Sequence, residues 1–202
     1  MILDVLGSRP KLRLLRYLST HDGKLTGRAL AQAAGVDAKR AAEALNELAG
    51  SGMVQRRRAG RAFLYSINRD SYAVDRILLP AFLNERDWLQ RLGEEILRSV
   101  PGIRSVILYG SWATRRATPE SDVDLLLVTN PKPKHRTQRL QERIDEVRGR
   151  LTLRYGRSVS LLVLSQDEFR RRVRARGALT RDIIAHGRVL AGSSLAEMLG
   201  RK

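Results

Sequence analysis

Over the first fifty positions, apolar residues recur at the spacing of one helix face. Further along they gather into unbroken runs, so helices and buried strands are both expected. Leu12, Leu14, Leu15 and Leu18 form the stripe of a first helix from about Ser8 to Leu18, with Pro10 tolerated in its first turn. Thr26 caps a second helix, about Gly27 to Ala34, and Gly35-Val36 turns the chain. Asp37 caps a third helix that runs to about Ala49. Ala38, Ala41, Ala42, Leu45, Leu48 and Ala49 lie on one face of it, with Lys39, Arg40, Glu43 and Asn46 on the other. Ser51-Gly52 stops that helix. Two short strands follow, about Met53 to Arg57 and Ala62 to Ile67, with Ala59-Gly60-Arg61 turning between them.

From residue 71 the pattern changes. Ile77, Leu78, Phe82, Leu83, Trp88, Leu89, Leu92, Ile96 and Leu97 predict one long helix or two, with Pro80 breaking or kinking the first turns and Pro101-Gly102 ending them. An apolar run from Ile103 to Tyr109 then reads as a strand and ends in Gly110-Ser111. Ten residues later comes a second apolar run, Asp122-Val123-Asp124-Leu125-Leu126-Leu127-Val128. A polar basic loop with Pro131 and Pro133 spans Asn130 to His135, and a helix follows from about Thr137 to Leu153. A strand from Ser158 to Leu164, a helix from about Gln166 to Arg176, and a closing helix and short strand over residues 180–192 complete the order. The mixture predicts an α+β protein with three parts: residues 1–70, a connecting or dimerisation helix over 71–100, and 101–202.

Composition narrows the functions available. The chain of 202 residues has no cysteine, which excludes disulfides and thiolate metal sites. Its start lacks the charged and apolar regions of a signal peptide, and no apolar run approaches the ~20 residues of a membrane span. A soluble, cytoplasmic protein without membrane contact is the expectation. The formal net charge of +17 divides into +7 over residues 1–70, −1 over 71–102 and +11 over 103–202. Such an excess favours an extended polyanion as partner.

In the first part that excess is concentrated on the predicted hairpin, where Arg56, Arg57, Arg58 and Arg61 crowd the tip. A hairpin of this kind offers cations to phosphates beside the groove entered by the third helix, whose Lys39, Arg40 and Asn46 face outward. Over about residues 5–70 the chain resembles winged helix-turn-helix transcriptional regulators, which implies binding to double-stranded DNA. The apolar helix after it needs burial, either against the chain's own domains or in a homodimer.

In the second part the chemistry rests on two carboxylates. Asp122 and Asp124, at i and i+2 of a strand, project from the same face. An acidic pair interrupting so apolar a strand needs a compensating cation. Mg²⁺ suits it, since that ion takes oxygen ligands and is commonly shared between carboxylates and substrate phosphates. Gly110 lets backbone approach a phosphate closely, and Ser111 is expected to open a helix whose free N–H groups favour an anion.

At these residues the chain resembles the nucleotidyltransferases of the polymerase-beta superfamily, most closely the minimal group. The shared motif is Gly-Ser, ten residues, Asp-x-Asp, and the likeness covers roughly residues 100–192. Ala113, Ala117, Thr118, Pro119 and Ser121 also sit where that family often has them. The resemblance implies a mixed β-sheet with flanking helices, with Asp122 and Asp124 as catalytic carboxylates and Mg²⁺ ligands. It places Gly110, Ser111, Arg115, Arg116 and Ser121 on a nucleoside triphosphate, ATP first among them. Acceptors in the family include RNA ends, antibiotic hydroxyls and a tyrosine of a partner toxin.

Two departures qualify that implication. The family's third carboxylate falls at Ser160, and serine is a poor base; Asp167 or Glu168 just beyond the strand are the available substitutes. Where relatives often have Arg-Gly after the alanine, this chain has Thr114-Arg115, and Arg115 and Arg116 either clamp phosphate or block the pocket. Two functions therefore stand: a Mg²⁺-dependent nucleotidyltransferase joined to a DNA-binding domain, and a regulator whose transferase fold is degenerate and serves nucleotide sensing or dimerisation. His21, His135 and His186 lack metal-ligand spacing and read as solvated. Trp112 either stacks a nucleobase or packs beneath the turn.

Overall fold

The protein, seen here as a computed structural model, is described over residues 2–118, 120–130 and 138–200. Pro119, Pro131, Pro133, His135 and Thr137 lie outside the described residues. The chain divides into two compact units, Met1–Arg86 and Asp87–Lys202.

The first unit runs α1 (Ile2–Leu6), α2 (Arg9–Ser19), β1 (Leu25–Thr26), α3 (Gly27–Ala34), α4 (Ala38–Gly50), β2 (Val54–Ala59) and β3 (Ala62–Ile67). Capping sets these boundaries. Ser8 stands at the N-cap of α2 without a side-chain cap bond, and Pro10 sits in the first turn. The Thr26 hydroxyl accepts from the Ala29 N–H at 3.2 Å, and Gly35 closes α3 with φ of +63°. Asp37 Oδ1 accepts from the N–H groups of Lys39 and Arg40, both at 3.1 Å. Each cap of this type stabilises its helix by about 1 kcal/mol.

Leu14, Leu15 and Leu18 of α2, Leu30 of α3 and Leu45 and Leu48 of α4 are fully buried around Met53. Burying each such side chain contributes about 1.5–3 kcal/mol. The apolar stripe of α4 is rotated from the predicted one. Ala44 is buried with Ala41, Leu45 and Leu48, while Ala38 and Ala42 are exposed. The leucine contacts decide which way the helix turns, and a methyl group adds too little apolar area to oppose them.

The three strands form one antiparallel sheet in the order β1-β3-β2. The arrangement is a winged helix-turn-helix, with α3 and α4 as the helix pair and β2–β3 as the wing. The two-residue strand β1 was not expected, because two residues carry no periodicity.

A π turn at Val74–Leu78 leads directly into α5 (Leu79–Ser99), where Pro80 sits in the first turn without ending the helix. The unit boundary falls within α5, after Arg86.

The second unit continues with β4 (Ile103–Tyr109), α6 (Gly110–Ala113), β5 (Val123–Thr129), α7 (Gln138–Tyr155), β6 (Val159–Ser165), α8 (Gln166–Arg174), α9 (Ala178–His186), β7 (Arg188–Gly192) and α10 (Leu195–Leu199). Its sheet has the order β6-β5-β4-β7, with β5 and β6 parallel and the other pairs antiparallel. The parallel pair needs a crossover, which α7 spans.

Helices cover both faces of this sheet, which is why its strands read as unbroken apolar runs. Val106, Leu108, Leu125 and Leu127 pack with Leu92 and Ile96 of α5 and with Ile144, Val147 and Leu151 of α7. Gly93 permits that approach, since a Cβ there would stand 2.5 Å from the Leu190 Cβ. On the other face Ile107, Leu126, Val128 and Leu164 pack with Phe169 of α8, Ile183 of α9 and Met198 of α10. The unit is a mixed sheet with flanking helices, as the fold class required. Among the described residues no helix is long and apolar enough to cross a membrane.

Candidate functional site

Alternation along β5 places Asp124 on the same face as Leu126 and Val128, beyond the end of the core that α8, α9 and α10 cover. Asp122, two residues earlier, precedes the strand and is exposed, whereas Asp124 is half-buried. Burial, and then the charge of Asp122, raise the Asp124 carboxyl above the ordinary carboxylate range. Directly across the antiparallel pair stands Tyr109, whose phenol is pushed up by burial and by the charge of Asp124. Among the described residues neither carboxylate has a cation in ion-pair distance, and no third His, Asp or Glu gathers with them.

Gly110 is fixed at its position by two independent requirements. Its φ of +71° lies in the left-handed region, and a Cβ there would stand 2.5 Å from Asp124 Oδ2. A side chain at position 110 would therefore meet the Asp124 carboxylate, which lies close beside the turn. Helix α6 is a single turn of four residues, so the anion-favouring dipole expected from a longer helix is not built here. Local hydrogen bonds hold the turn instead. Thr114 N–H donates to the Gly110 carbonyl at 3.2 Å, its hydroxyl donates to the Gly110 and Ser111 carbonyls, and Arg116 N–H donates to the Ser111 carbonyl at 2.8 Å.

Arg115, at the position that the family resemblance gives to glycine, takes the glycine-like conformation, with φ of +59°. The turn thus keeps its shape at a strain cost of about 1–2 kcal/mol for a residue with a Cβ. The side chains of both Arg115 and Arg116 are exposed. Ser121 is engaged locally: its hydroxyl accepts from Thr118 N–H at 2.8 Å and contacts Thr118 Oγ1 at 3.2 Å.

Trp112 packs beneath the turn. Its ring meets Trp88 edge-on at 5.2 Å, lies under the Arg157 guanidinium at 5.1 Å, and donates from Nε1 to the Ser121 carbonyl at 3.2 Å.

The parallel register sets Ser160 opposite Asp124, the position read from the sequence as the missing carboxylate. Asp167 and Glu168 cannot replace it. They follow Ser165, which pairs with Thr129 at the far end of β5, about 17 Å along the strand from Ser160. Glu168 is moreover held by Arg172 at 2.9 Å.

In the first unit the pleat divides the wing arginines. Arg56 and Arg58 pair with Tyr65 and Phe63 on the face toward α4, and Arg57 points the opposite way. Arg56 Nη1 donates to Asn46 Oδ1 at 3.0 Å and its guanidinium lies 4.8 Å over the Phe63 ring, so wing and α4 are linked by one side chain. Arg58 Nε donates to the Gly60 carbonyl at 3.3 Å. Lys39 and Arg40 in the first turn of α4 are exposed, as are Arg57 and Arg61.

Phe63 was not singled out from sequence, although its cross-strand partnership with Arg58 follows from the two-residue turn between the strands. Of the histidines, His21 stacks on Tyr17 at 5.7 Å, and His186 Nδ1 lies 3.1 Å from Asp182 Oδ1.

Residues 94–193 match the family model described as Polymerase beta, Nucleotidyltransferase, and they form a nucleotidyltransferase domain of that family. No curated protein matches the chain. Among solved structures, one similar to this chain is a homodimeric winged helix-turn-helix DNA-binding domain from Mycobacterium bovis, described as a possible ArsR-family transcriptional regulator. It has 24% identity and a TM-score of 0.35, over 43% of this chain and 76% of that one. An antimony-specific transcriptional repressor shares 27% identity with a TM-score of 0.38, over 44% of this chain and 77% of its own. A toxin–antitoxin structure with AMP-PNP shares 16% identity with a TM-score of 0.37, over 57% of this chain and 79% of its own.

Proposed function

We propose that this chain is a double-stranded-DNA-binding protein whose nucleotidyltransferase domain binds a Mg²⁺-nucleoside triphosphate, ATP first among them. The contact between Gly110 and the Asp124 carboxylate carries the nucleotide half. It brings bare backbone against a half-buried acid that has no cation partner among the described residues. Two hard oxygen donors fit Mg²⁺, whose remaining positions water and phosphate oxygens fill. Bound there by Asp122 and Asp124, the ion would neutralise phosphate charge. Gly110 and Ser111 hold the phosphates from the backbone, and the exposed Arg115 and Arg116 add charge-assisted contacts from the same turn.

Ser160 opposite Asp124 leaves the acceptor's proton without a carboxylate to receive it, a loss typically of about 10²–10⁴-fold. Binding, with transfer slow or absent, is therefore the reading the site supports best. A second reading, transfer of a nucleotidyl group to a hydroxyl of a partner such as a toxin, is favoured by the intact Asp122/Asp124 pair.

For the DNA half, the supporting observation is the cationic wing joined to α4 through Arg56 and Asn46. Lys39 and Arg40 enter beside base edges, while Arg57, Arg58 and Arg61 meet phosphates. A homodimer formed through residues 71–100 would match two half-sites.

Calorimetric titration of ATP and the other triphosphates, with and without Mg²⁺, tests the nucleotide half. Metal-dependent binding that disappears in Asp122→Ala/Asp124→Ala supports the reading. Absence of binding by the wild type refutes it and leaves the domain as a scaffold. Release of pyrophosphate with any hydroxyl acceptor would favour the second reading.

A further inference from the structure

The first unit contains a cleft of about 700 Å³, lined in part by Leu79, Phe82 and Leu83 of the segment through which the proposed homodimer would form. It opens between α2, the end of α3 and the start of α5, all within that unit. Its size is that of small-molecule sites, which are mostly apolar with a few polar groups that fix orientation. Tyr17, Leu79 and Phe82 form the apolar wall, and Leu83 is 47% exposed beside them. Leu79 and Phe82 are partly buried against the core, so Leu83 supplies most of the apolar surface open to water there.

The polar groups of the cleft are chiefly cationic. Arg13, Arg16 and Arg69 line it against a single acid, Glu85, apart from Arg86 at its edge. The Arg16 guanidinium lies 5.9 Å over the Phe82 ring, and its Nη2 lies 2.7 Å from each Glu85 oxygen. A carboxylate of the chain itself thus already occupies the seat beside the apolar wall. Both partners are more than half exposed, and an ion pair of that kind is weak and readily exchanged. Arg69 is tied only at 3.6 Å to the exposed Asp22.

We propose that this cleft binds an amphipathic organic anion, an aliphatic or aromatic carboxylate. Its apolar body lies against Leu79, Phe82 and Leu83, and its acid group displaces Glu85 from Arg16. The site is separate from the Asp122/Asp124 turn and stands or falls independently of nucleotide binding.

The test is calorimetric titration of decanoate into the full-length protein, with 1-decanol as the uncharged control and sedimentation to follow oligomeric state. Saturable binding of decanoate and much weaker binding of decanol are expected. Arg16→Ala and Leu83→Glu, both at exposed positions, each weaken decanoate binding about tenfold or more. Glu85→Gln, which frees Arg16, strengthens it several-fold. Equal binding of the alcohol, or affinities unmoved by these substitutions, overturns the proposal. A dimer abolished by Leu83→Glu, in a protein that takes up no decanoate, also overturns it and makes a second copy the occupant.

Discussion

The turn at Gly110 and the wing at Arg56–Arg61 carry the two halves of the proposed function, and they are built on opposite principles. The turn depends on a few atoms that nothing else can supply: two carboxylates, and a glycine whose missing Cβ leaves room for Asp124 Oδ2. The wing depends on a number of exposed cations; the Arg56 guanidinium is held by both Asn46 and Phe63. A site of the first kind fails at once when a single part is removed. A site of the second kind weakens step by step.

The steepest expected loss follows from Asp122→Ala/Asp124→Ala. Mg²⁺-dependent triphosphate affinity should fall by about 100-fold or more, a scale set by removing two charged ligands. DNA affinity measured on the same preparation should not change. A parallel loss of DNA binding would mean that the two regions are not separate devices.

Next comes Gly110→Ala, which places a Cβ in left-handed backbone against Asp124. Urea denaturation should show a destabilisation of about 1–2 kcal/mol. Triphosphate affinity should fall about tenfold as the carboxylate is pushed aside. If both stay at wild-type values, neither the φ of Gly110 nor its closeness to Asp124 requires glycine there.

On the wing the effects should be smaller and graded. Arg57→Ala and Arg58→Ala should each weaken DNA binding a few-fold. Each should also reduce the salt slope by about 0.9, because one phosphate is no longer neutralised. Arg56→Ala should cost more than either, because it also releases Asn46 from the wing. Equal effects at all three positions would show that the Arg56–Asn46 link adds nothing to DNA binding.

The Asp124 pKa provides a pH test with a definite sign. Its folded value is raised, so the fold binds that proton more tightly than the unfolded chain. Stability from this group is therefore lost as pH rises through the folded pKa. Asp124→Asn should raise the Tm of the metal-free protein at pH 7, with the gain shrinking as pH falls into the range where Asp124 itself protonates. The smallest change is expected from Arg115→Gly, which relieves a φ of +59° and should stabilise the fold by about 0.5–1 kcal/mol.

Elements with strong periodicity or a side-chain cap were legible in the sequence. Strand Ile103–Tyr109 and helix Gly27–Ala34 fall at their predicted limits, since an apolar run ends at Gly110 and Thr26 caps where expected. The helices Ile2–Leu6 and Leu195–Leu199 escaped notice because one turn and a half shows no period. The face of α4 was misjudged where alanine was weighted equally with leucine. The division of Arg56 and Arg58 from Arg57 needed the register, which residue type does not reveal. In the carboxylate site, the spacing brought Asp122 and Asp124 together, and the family resemblance pointed to Ser160, which the register sets opposite Asp124. The apposition of Gly110 to Asp124 came only with three dimensions. So did the distance that removes Asp167 and Glu168, because along the chain they lie only seven and eight residues beyond Ser160.

If the domain binds nucleotide as proposed, the serine opposite Asp124 also bears on what kind of quantity it reports. An enzyme consumes its nucleotide, so the fraction of sites filled reflects a balance of flux between arrival and turnover. A site that returns its ligand intact comes to equilibrium, and its filling is then a thermometer of free nucleotide concentration, independent of how fast anything is processed. On the proposed function, Ser160→Asp would place a carboxylate opposite Asp124 and shift such a site toward turnover.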